Sequence, residues 1–129
     1  MTIKKAIADL AEIKPHQYSD TKIVELLYKL DAQIYDEVII KHQNTNETGN
    51  GDLERPAAYD AEQDINKELL VPDPYSDMYL SWLAAQVDYW NGEYTRFNNT
   101  ITMYNNDYDI FASWFTRTHM PKQPAVVEV

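Results

Sequence analysis

Histidine is the first residue type to examine for chemistry, because imidazole serves both as a general base and as a metal ligand. The chain has three histidines and no cysteine. None of the three, His16, His42 and His119, has a ligand-type residue three or four positions later within a regular helical pattern. We therefore expect surface or capping roles for them, and the sequence predicts no metal site and no cofactor.

The carboxylates, 21 in all, are the second group that could do chemistry. None occupies a core position of the long helix described below, so a buried acid–base pair is not predicted. The chain also lacks the glycine-rich phosphate loops, the GxSxG nucleophile motif, the HExxH zinc motif and the EF-hand loop. We expect that the protein is not an enzyme.

Residues 89–116 instead repeat an apolar and aromatic pattern every seven positions. With Leu80 as position a, the a positions are Leu80, Val87, Tyr94, Ile101, Tyr108 and Phe115, and the d positions are Leu83, Trp90, Phe97, Tyr104 and Phe111. Asparagine and glycine residues collect on the opposite face. This unbroken phase predicts one helix over residues 75–117. A hairpin at Asn98-Asn99 is the alternative, since paired asparagines are turn signals.

A second apolar line runs along the same predicted helix, roughly 130° from the first at 100° per residue. Position c carries Trp82, Tyr89, Met103 and Ile110, interrupted by Arg96, and Trp114 lies beside the line at position g. A helix with two apolar faces needs two partners. Either the short helices cover both faces within a monomer, or another subunit covers this one. On the second reading these five apolar residues are the candidate interface.

Two shorter helices precede the long one. Apolar residues at helical spacing predict a helix over residues 3–13, with Thr2 as N-cap and Pro15 ending it. A second helix is predicted over residues 20–42, capped by Ser19 or Asp20. The β-branched run 38–40 is compatible with a strand, but the helical spacing continues into it, which favours a helix.

The remaining segments lack periodicity. Residues 43–75 read as an extended acidic loop, whose far end Leu69, Leu70 and Val71 would anchor to the core. Asp73 is predicted to cap the long helix, with Pro74 at its first position. After Pro121, which cannot continue the helix, residues 121–129 form a tail. That tail is either a frayed terminus or an arm laid on a neighbouring subunit.

Length, composition and charge set the class of protein. The chain has 129 residues, 44% of them hydrophobic, which predicts a single domain over residues 1–129 with a real core. The predicted fold is all-α: a small bundle with two N-terminal helices packed on one long C-terminal helix, plus the loop. The net charge is −10, and residues 43–75 carry eight acidic against two basic residues. Direct nucleic-acid binding through a basic patch is therefore not expected, and no apolar run is long enough to predict a membrane span.

Several spaced residues resemble a known group of proteins. They are the segments 14–20 (KPHQYSD), 68–75 (ELLVPDPY), 91–93 (NGE), 96–99 (RFNN) and 117–121 (RTHMP), together with Met78, Tyr79 and Asp88. This pattern is similar to small proteins from prophages of Gram-positive bacteria, and to the all-helical head–tail connector (adaptor) proteins of long-tailed phages. The resemblance covers most of the chain outside residues 43–67. It implies a homo-oligomeric ring beneath the portal, contacts with portal and tail-side connector proteins, and a location in the virion and, during assembly, in the host cytoplasm.

Two functional hypotheses from different classes follow. The first is a non-enzymatic head–tail connector that assembles through the long helix. The second is a small acidic phage protein that binds a host enzyme as a nucleic-acid mimic. A mimic needs carboxylates held along a rigid face, whereas here they concentrate in a predicted loop. The charge distribution therefore favours the connector. A small enzyme is a distant third, because no nucleophile, base and orienting group can be nominated.

Overall fold

The computed structural model describes residues 1–42 and 54–118. Over these ranges the chain is all-α, as predicted, and contains no β-strand. The α-helices are α1 (Ile3–Ile13), α2 (Asp20–Ile34), α3 (Ile40–His42), α4 (Asp77–Trp90) and α5 (Tyr94–Thr118), with a π-helical turn at Tyr35–Ile39 and a 3₁₀ turn at Asp73–Tyr75. The predicted tail, residues 121–129, lies outside the described residues.

The first two helices begin where their capping residues predict. The Thr2 side chain accepts a hydrogen bond from the Lys5 N–H at 3.1 Å, which confirms Thr2 as the N-cap of α1. For α2 the sequence left Ser19 and Asp20 as candidate N-caps. The N-cap is Ser19, because its side chain accepts a hydrogen bond from the Lys22 N–H at 3.2 Å. Each such cap satisfies one of the unpaired N–H groups of a first helical turn and contributes about 1 kcal/mol.

The helical path continues from α2 to His42, as predicted, and the strand alternative for residues 38–40 is wrong. A π-helical turn interrupts the α-helix there, with the Ile40 N–H donating to the Tyr35 carbonyl five residues back. The wider turn inserts one extra residue. Val38 and Ile39 are consequently both buried, while Ile40 is 52% exposed.

The single helix predicted over residues 75–117 is wrong, because the chain leaves the helical path after Trp90. Gly92 has φ +75°. The Gly92 N–H donates to the Tyr89 carbonyl at 3.1 Å, and the Glu93 N–H donates to the Asp88 carbonyl at 2.9 Å. These two bonds form a Schellman motif, in which the left-handed residue is usually glycine because it has no Cβ to clash.

Helices α4 and α5 therefore form an antiparallel hairpin. Near its turn the Thr100 hydroxyl donates to Asp88 at 3.1 Å. About two helical turns farther along both helices, the Ser81 hydroxyl donates to Asp107 at 2.9 Å. The alternative turn at Asn98-Asn99 is wrong as well, since both asparagines lie inside α5.

The seven-residue pattern locates much of the core in spite of the turn. Five of its a and d residues are buried as the pattern predicts: Leu83, Val87, Tyr104, Phe111 and Phe115. Trp90 and Phe97, which flank the turn, are only half-buried. Tyr94 is 60% exposed, because it is the first residue of α5 and no other helix covers it. α1 and α2 supply many of the other buried side chains, among them Leu10, Leu27 and Leu30.

Residues 54–72 run without a regular helix and lie against the N-terminal end of α1. The Ile3 N–H donates to the Lys67 carbonyl at 3.0 Å, and the Leu69 N–H donates to the Met1 carbonyl at 2.9 Å. Leu69 and Val71 are buried, which confirms them as anchors, and Leu70 is half-buried. Because residues 43–53 lie outside the described part, the loop predicted over residues 43–75 is not confirmed as a unit.

The predicted start of the long helix also needs correction. Asp73 and Pro74 belong to the separate 3₁₀ turn, and α4 begins only at Asp77. The Asp73 side chain does not cap a helix. It accepts a hydrogen bond from the Met1 ammonium group at 2.5 Å, which ties the segment before α4 to the N-terminus.

Candidate interaction surface

Two aspartates, Asp31 and Asp88, are completely buried, which the sequence pattern did not predict. The Tyr79 hydroxyl donates to one oxygen of Asp31 at 2.5 Å, and the Tyr59 hydroxyl donates to the other at 2.6 Å. The Leu70 N–H adds a third bond at 3.2 Å. Asp31 thus joins α2, α4 and the segment 54–72 through one carboxylate.

The electrostatics of this cluster agree with a structural role. Burial raises the pKa of the Asp31 carboxyl, although the hydrogen bonds from Tyr59, Tyr79 and Leu70 oppose that shift. Burial, followed by the charge of Asp31, raises the pKa of both tyrosine hydroxyls. The three side chains are hydrogen-bonded to one another, with Asp31 and Tyr79 fully buried and Tyr59 half-buried.

Asp88 belongs to a different network near the hairpin turn. The Lys14 ammonium group, which follows α1, donates to Asp88 at 2.7 Å, and Thr100 donates to its other oxygen. A buried carboxylate is tolerated only when paired in this way. The bond fixes the hairpin to α1. The two buried aspartates lie in separate networks and do not pair with each other.

Of the three histidines, His16 has a described side chain. It accepts a hydrogen bond from the Tyr18 N–H at 3.0 Å and stacks on the Tyr18 ring, a contact just before the α2 N-cap Ser19 that caps no helix. Within residues 1–42 and 54–118 no group of three or more histidine, aspartate or glutamate side chains could hold a metal ion. Over the same ranges no helix is long and apolar enough to cross a membrane.

The structure divides the predicted interface line between two helices. Trp82 and Tyr89 lie on α4, whereas Met103, Ile110 and Trp114 lie on α5. Trp82 is half-buried and packs against the core. Tyr89 is 53% exposed and lies at the hairpin turn. Because the hairpin reverses direction, the five residues do not form one continuous line.

The part of the line on α5 remains together as an apolar stripe, defined here as Met103, Ile110 and Trp114. Steps of seven and four residues place these side chains within about 40° of one another around the helix. Met103 is 59% exposed and Ile110 is 50% exposed. Trp114 is half-buried and stacks on Tyr75 with ring centroids 4.9 Å apart. The stripe can bury apolar area against another protein.

A second aromatic surface lies at the hairpin turn, and the sequence reasoning missed half of it. Tyr94 was assigned to the core but is exposed next to Tyr89, with ring centroids 5.8 Å apart. Tyr89 also packs edge-on against Phe97. The Asn91-Gly92 pair was the available signal, because glycine just after a helical pattern marks a helix end.

Comparisons with protein-family models, with curated proteins and with solved structures give no match for this chain. Any functional assignment therefore depends on the residues themselves and on their geometry.

Proposed function

We propose that this protein is a non-enzymatic virion protein of a long-tailed phage, a head–tail connector that forms a homo-oligomeric ring beneath the portal. The observation that carries the assembly part of the proposal is the apolar stripe on α5, with Met103 and Ile110 half or more exposed. Exposed apolar side chains aligned on one helix face are typical of interaction surfaces.

The phage assignment is supported by the spaced residues that resemble connector proteins. Several of those residues determine the fold of this chain. Asn91-Gly92-Glu93 forms the hairpin turn, and the buried Tyr79 and Asp88 hold helices together. A resemblance at such positions favours a shared fold. The connector role follows from that fold only as a proposal, because a fold can host several functions.

A ring also requires two different surfaces on each subunit, since a patch that meets itself gives a two-fold dimer. The apolar stripe is one of them. The aromatic pair at the hairpin turn, Tyr89 and Tyr94, is the other surface in this proposal. Trp114 and its neighbours lie at the opposite end of α5 from the turn, so the two surfaces are well separated on the subunit.

Analytical ultracentrifugation of the full chain, alone and mixed with the portal protein encoded in the same genome, tests the proposal. We expect a single larger species containing both proteins in the mixture. If the two proteins sediment independently at concentrations far above a micromolar dissociation constant, the connector role is wrong.

A further inference from the structure

A buried hydroxyl without a partner marks a groove between the π-helical turn and α5. Tyr104 is only 7% exposed, and its hydroxyl makes no hydrogen bond within the described residues. Buried polar atoms without partners are rare in folded proteins, and each calls for an explanation such as an absent ligand or water. Segments of π-helix also recur at functional sites.

The groove has a volume of about 400 Å³ and a polar lining. Its walls are Gln33 and Glu37 on the α2 side, and Tyr104, Asn105, Tyr108 and Asp109 on the α5 side. Two carboxylates and two phenol oxygens therefore face one space. No lysine or arginine is among these lining residues, so the groove is rich in acceptors and lacks a cation.

Glu37 is already oriented for binding. The Tyr108 hydroxyl donates to one of its oxygens at 2.7 Å, and the Gln33 amide donates to the other at 3.2 Å. A carboxylate oxygen has two lone pairs, so each can accept a further bond. Tyr104 lines the same groove as Glu37, and burial, followed by the charge of Glu37, raises the pKa of the Tyr104 hydroxyl.

The second carboxylate has no partner of its own. Asp109 makes no hydrogen bond or ion pair within residues 1–42 and 54–118. It lines the same groove as Glu37 and Tyr108. The groove thus presents one oriented and one free carboxylate, with the buried Tyr104 hydroxyl between the two helices.

We infer that this groove binds the guanidinium group of an arginine side chain presented by a different, basic protein. A guanidinium carries five N–H donors in a planar fork and no acceptor. These N–H donors match the carboxylates of Glu37 and Asp109. They also match the unoccupied acceptor positions on the hydroxyl oxygens of the two groove tyrosines. A lysine ammonium group is a compact point charge and would leave more of these acceptors unpaired.

The charges of the chain itself argue against a second copy as the source. Two of the three arginines are in ion pairs, Arg55 with Asp36 and Arg96 with Glu93, and the third, Arg117, lies in the last turn of α5. The net charge of −10 opposes the approach of another copy to an acidic groove. The inference stands on the groove alone and does not depend on the phage assignment.

Titration of the full chain with N-acetyl-arginine amide, followed by NMR chemical shifts, tests the site. We expect saturable shifts at the groove residues, and none with the neutral isostere N-acetyl-citrulline amide. Glu37→Gln should weaken binding about tenfold or more, because a hydrogen bond to a charged group is lost. Tyr104→Phe should also weaken binding, while its thermal midpoint stays equal to or above that of the unchanged protein.

The affinity of Tyr104→Phe for N-acetyl-arginine amide shows whether the hydroxyl binds the ligand or only packs in the fold. If the hydroxyl had a purely structural role, its removal would leave that affinity unchanged. Glu62→Gln is the matched control, because it removes an exposed carboxylate outside the groove and should leave the affinity unchanged. Equal binding of the citrulline compound, no saturable binding, or equal loss in Glu62→Gln would each overturn the inference. Self-association that disappears in Glu37→Gln would overturn the assignment to a different protein.

Discussion

At the scale of single residues, the buried Asp31 explains how a segment without regular structure is held on a helical bundle. Its carboxylate accepts bonds from two tyrosine hydroxyls and one backbone N–H, and these donors come from the segment 54–72 and from α4. The segment contributes few buried apolar side chains, chiefly Leu69 and Val71. The hydrogen bonds from Tyr59 and Leu70 to the buried Asp31 carboxylate therefore help to hold this segment on the helical bundle.

Removal of this acceptor should destabilise the protein strongly. Asp31→Ala leaves the hydroxyls of Tyr59 and Tyr79 and the Leu70 N–H without their acceptor, and each unpaired buried donor costs about 1–3 kcal/mol. We expect a loss of at least about 3 kcal/mol in the free energy of unfolding, measured by urea denaturation. Asp36→Ala is the control, because it removes an exposed aspartate close in the chain and should cause a much smaller loss. Equal effects of the two changes would contradict the role of Asp31.

Four buried or half-buried tyrosines lead to a prediction about the stability of the protein at alkaline pH. Burial raises the pKa of Tyr59, Tyr79, Tyr104 and Tyr108 above the ordinary value of 10.0. A raised folded pKa gives stability that is fully present below pH 10 and is lost as the pH rises above it, because only the unfolded chain then ionises freely. Ultraviolet titration should show these four tyrosines ionising only well above pH 10, together with the loss of helical circular dichroism. Ionisation of these four tyrosines before any unfolding would contradict the burial.

At the scale of helices, the sequence predicts the first two helices and the core faces, but it misses the start of α4 and the turn between α4 and α5. Thr2 and Ser19 identify the starts of α1 and α2 because a cap is a local interaction. The seven-residue pattern finds Leu83, Phe111 and Phe115 because burial repeats with the helix period. The same pattern arises on each helix of an antiparallel hairpin, so its continuity carries no information about a turn between them.

The buried carboxylates show a second limit of sequence reasoning. Whether Asp31 and Asp88 are buried depends on partners 12 to 74 positions away in the chain. A local pattern cannot reveal such partners. The apolar stripe on α5 was predicted correctly as a set of residues on one helix face, but its continuation onto α4 was not, because it depended on the missing turn.

The turn itself gives a test at this scale. Gly92→Ala should destabilise the protein by about 1–2 kcal/mol, because an L-residue pays a steric penalty in the left-handed region. No atom lies within 4 Å of the added Cβ, so the loss would come from the backbone conformation alone. Asn98→Ala, on the exposed face of α5, is the control and should be neutral or slightly stabilising. Thermal unfolding that ranks Asn98→Ala as the more harmful change would contradict the position of the turn.

At the scale of the whole molecule, a modest apolar surface must work against a large negative charge. Full burial of an isoleucine or methionine side chain contributes about 1.5–3 kcal/mol, and Ile110 and Met103 are already partly covered. The stripe therefore contributes only a few kcal/mol to each contact, against the entropic cost of association. The isolated chain is expected to remain monomeric at low concentration and to assemble on a template that holds several copies close together.

Trp82 belongs to the predicted interface but is not the best probe of this surface. It is half-buried and packs against the core, so a charge placed there would also disturb the fold. Ile110→Glu is the cleaner change, since Ile110 is half exposed on α5. Asn98→Glu is its matched control, because it adds the same charge to the same helix about 120° away around the axis.

Light scattering of the protein mixed with the portal protein of the proposed phage tests the proposal that the stripe on α5 drives assembly. The two variants are measured beside the unchanged chain. Circular dichroism should show the same helix content in all three proteins. We predict that the unchanged chain and Asn98→Glu form the larger assembly and that Ile110→Glu does not. An assembly of Ile110→Glu with the mass of the unchanged complex would contradict this account.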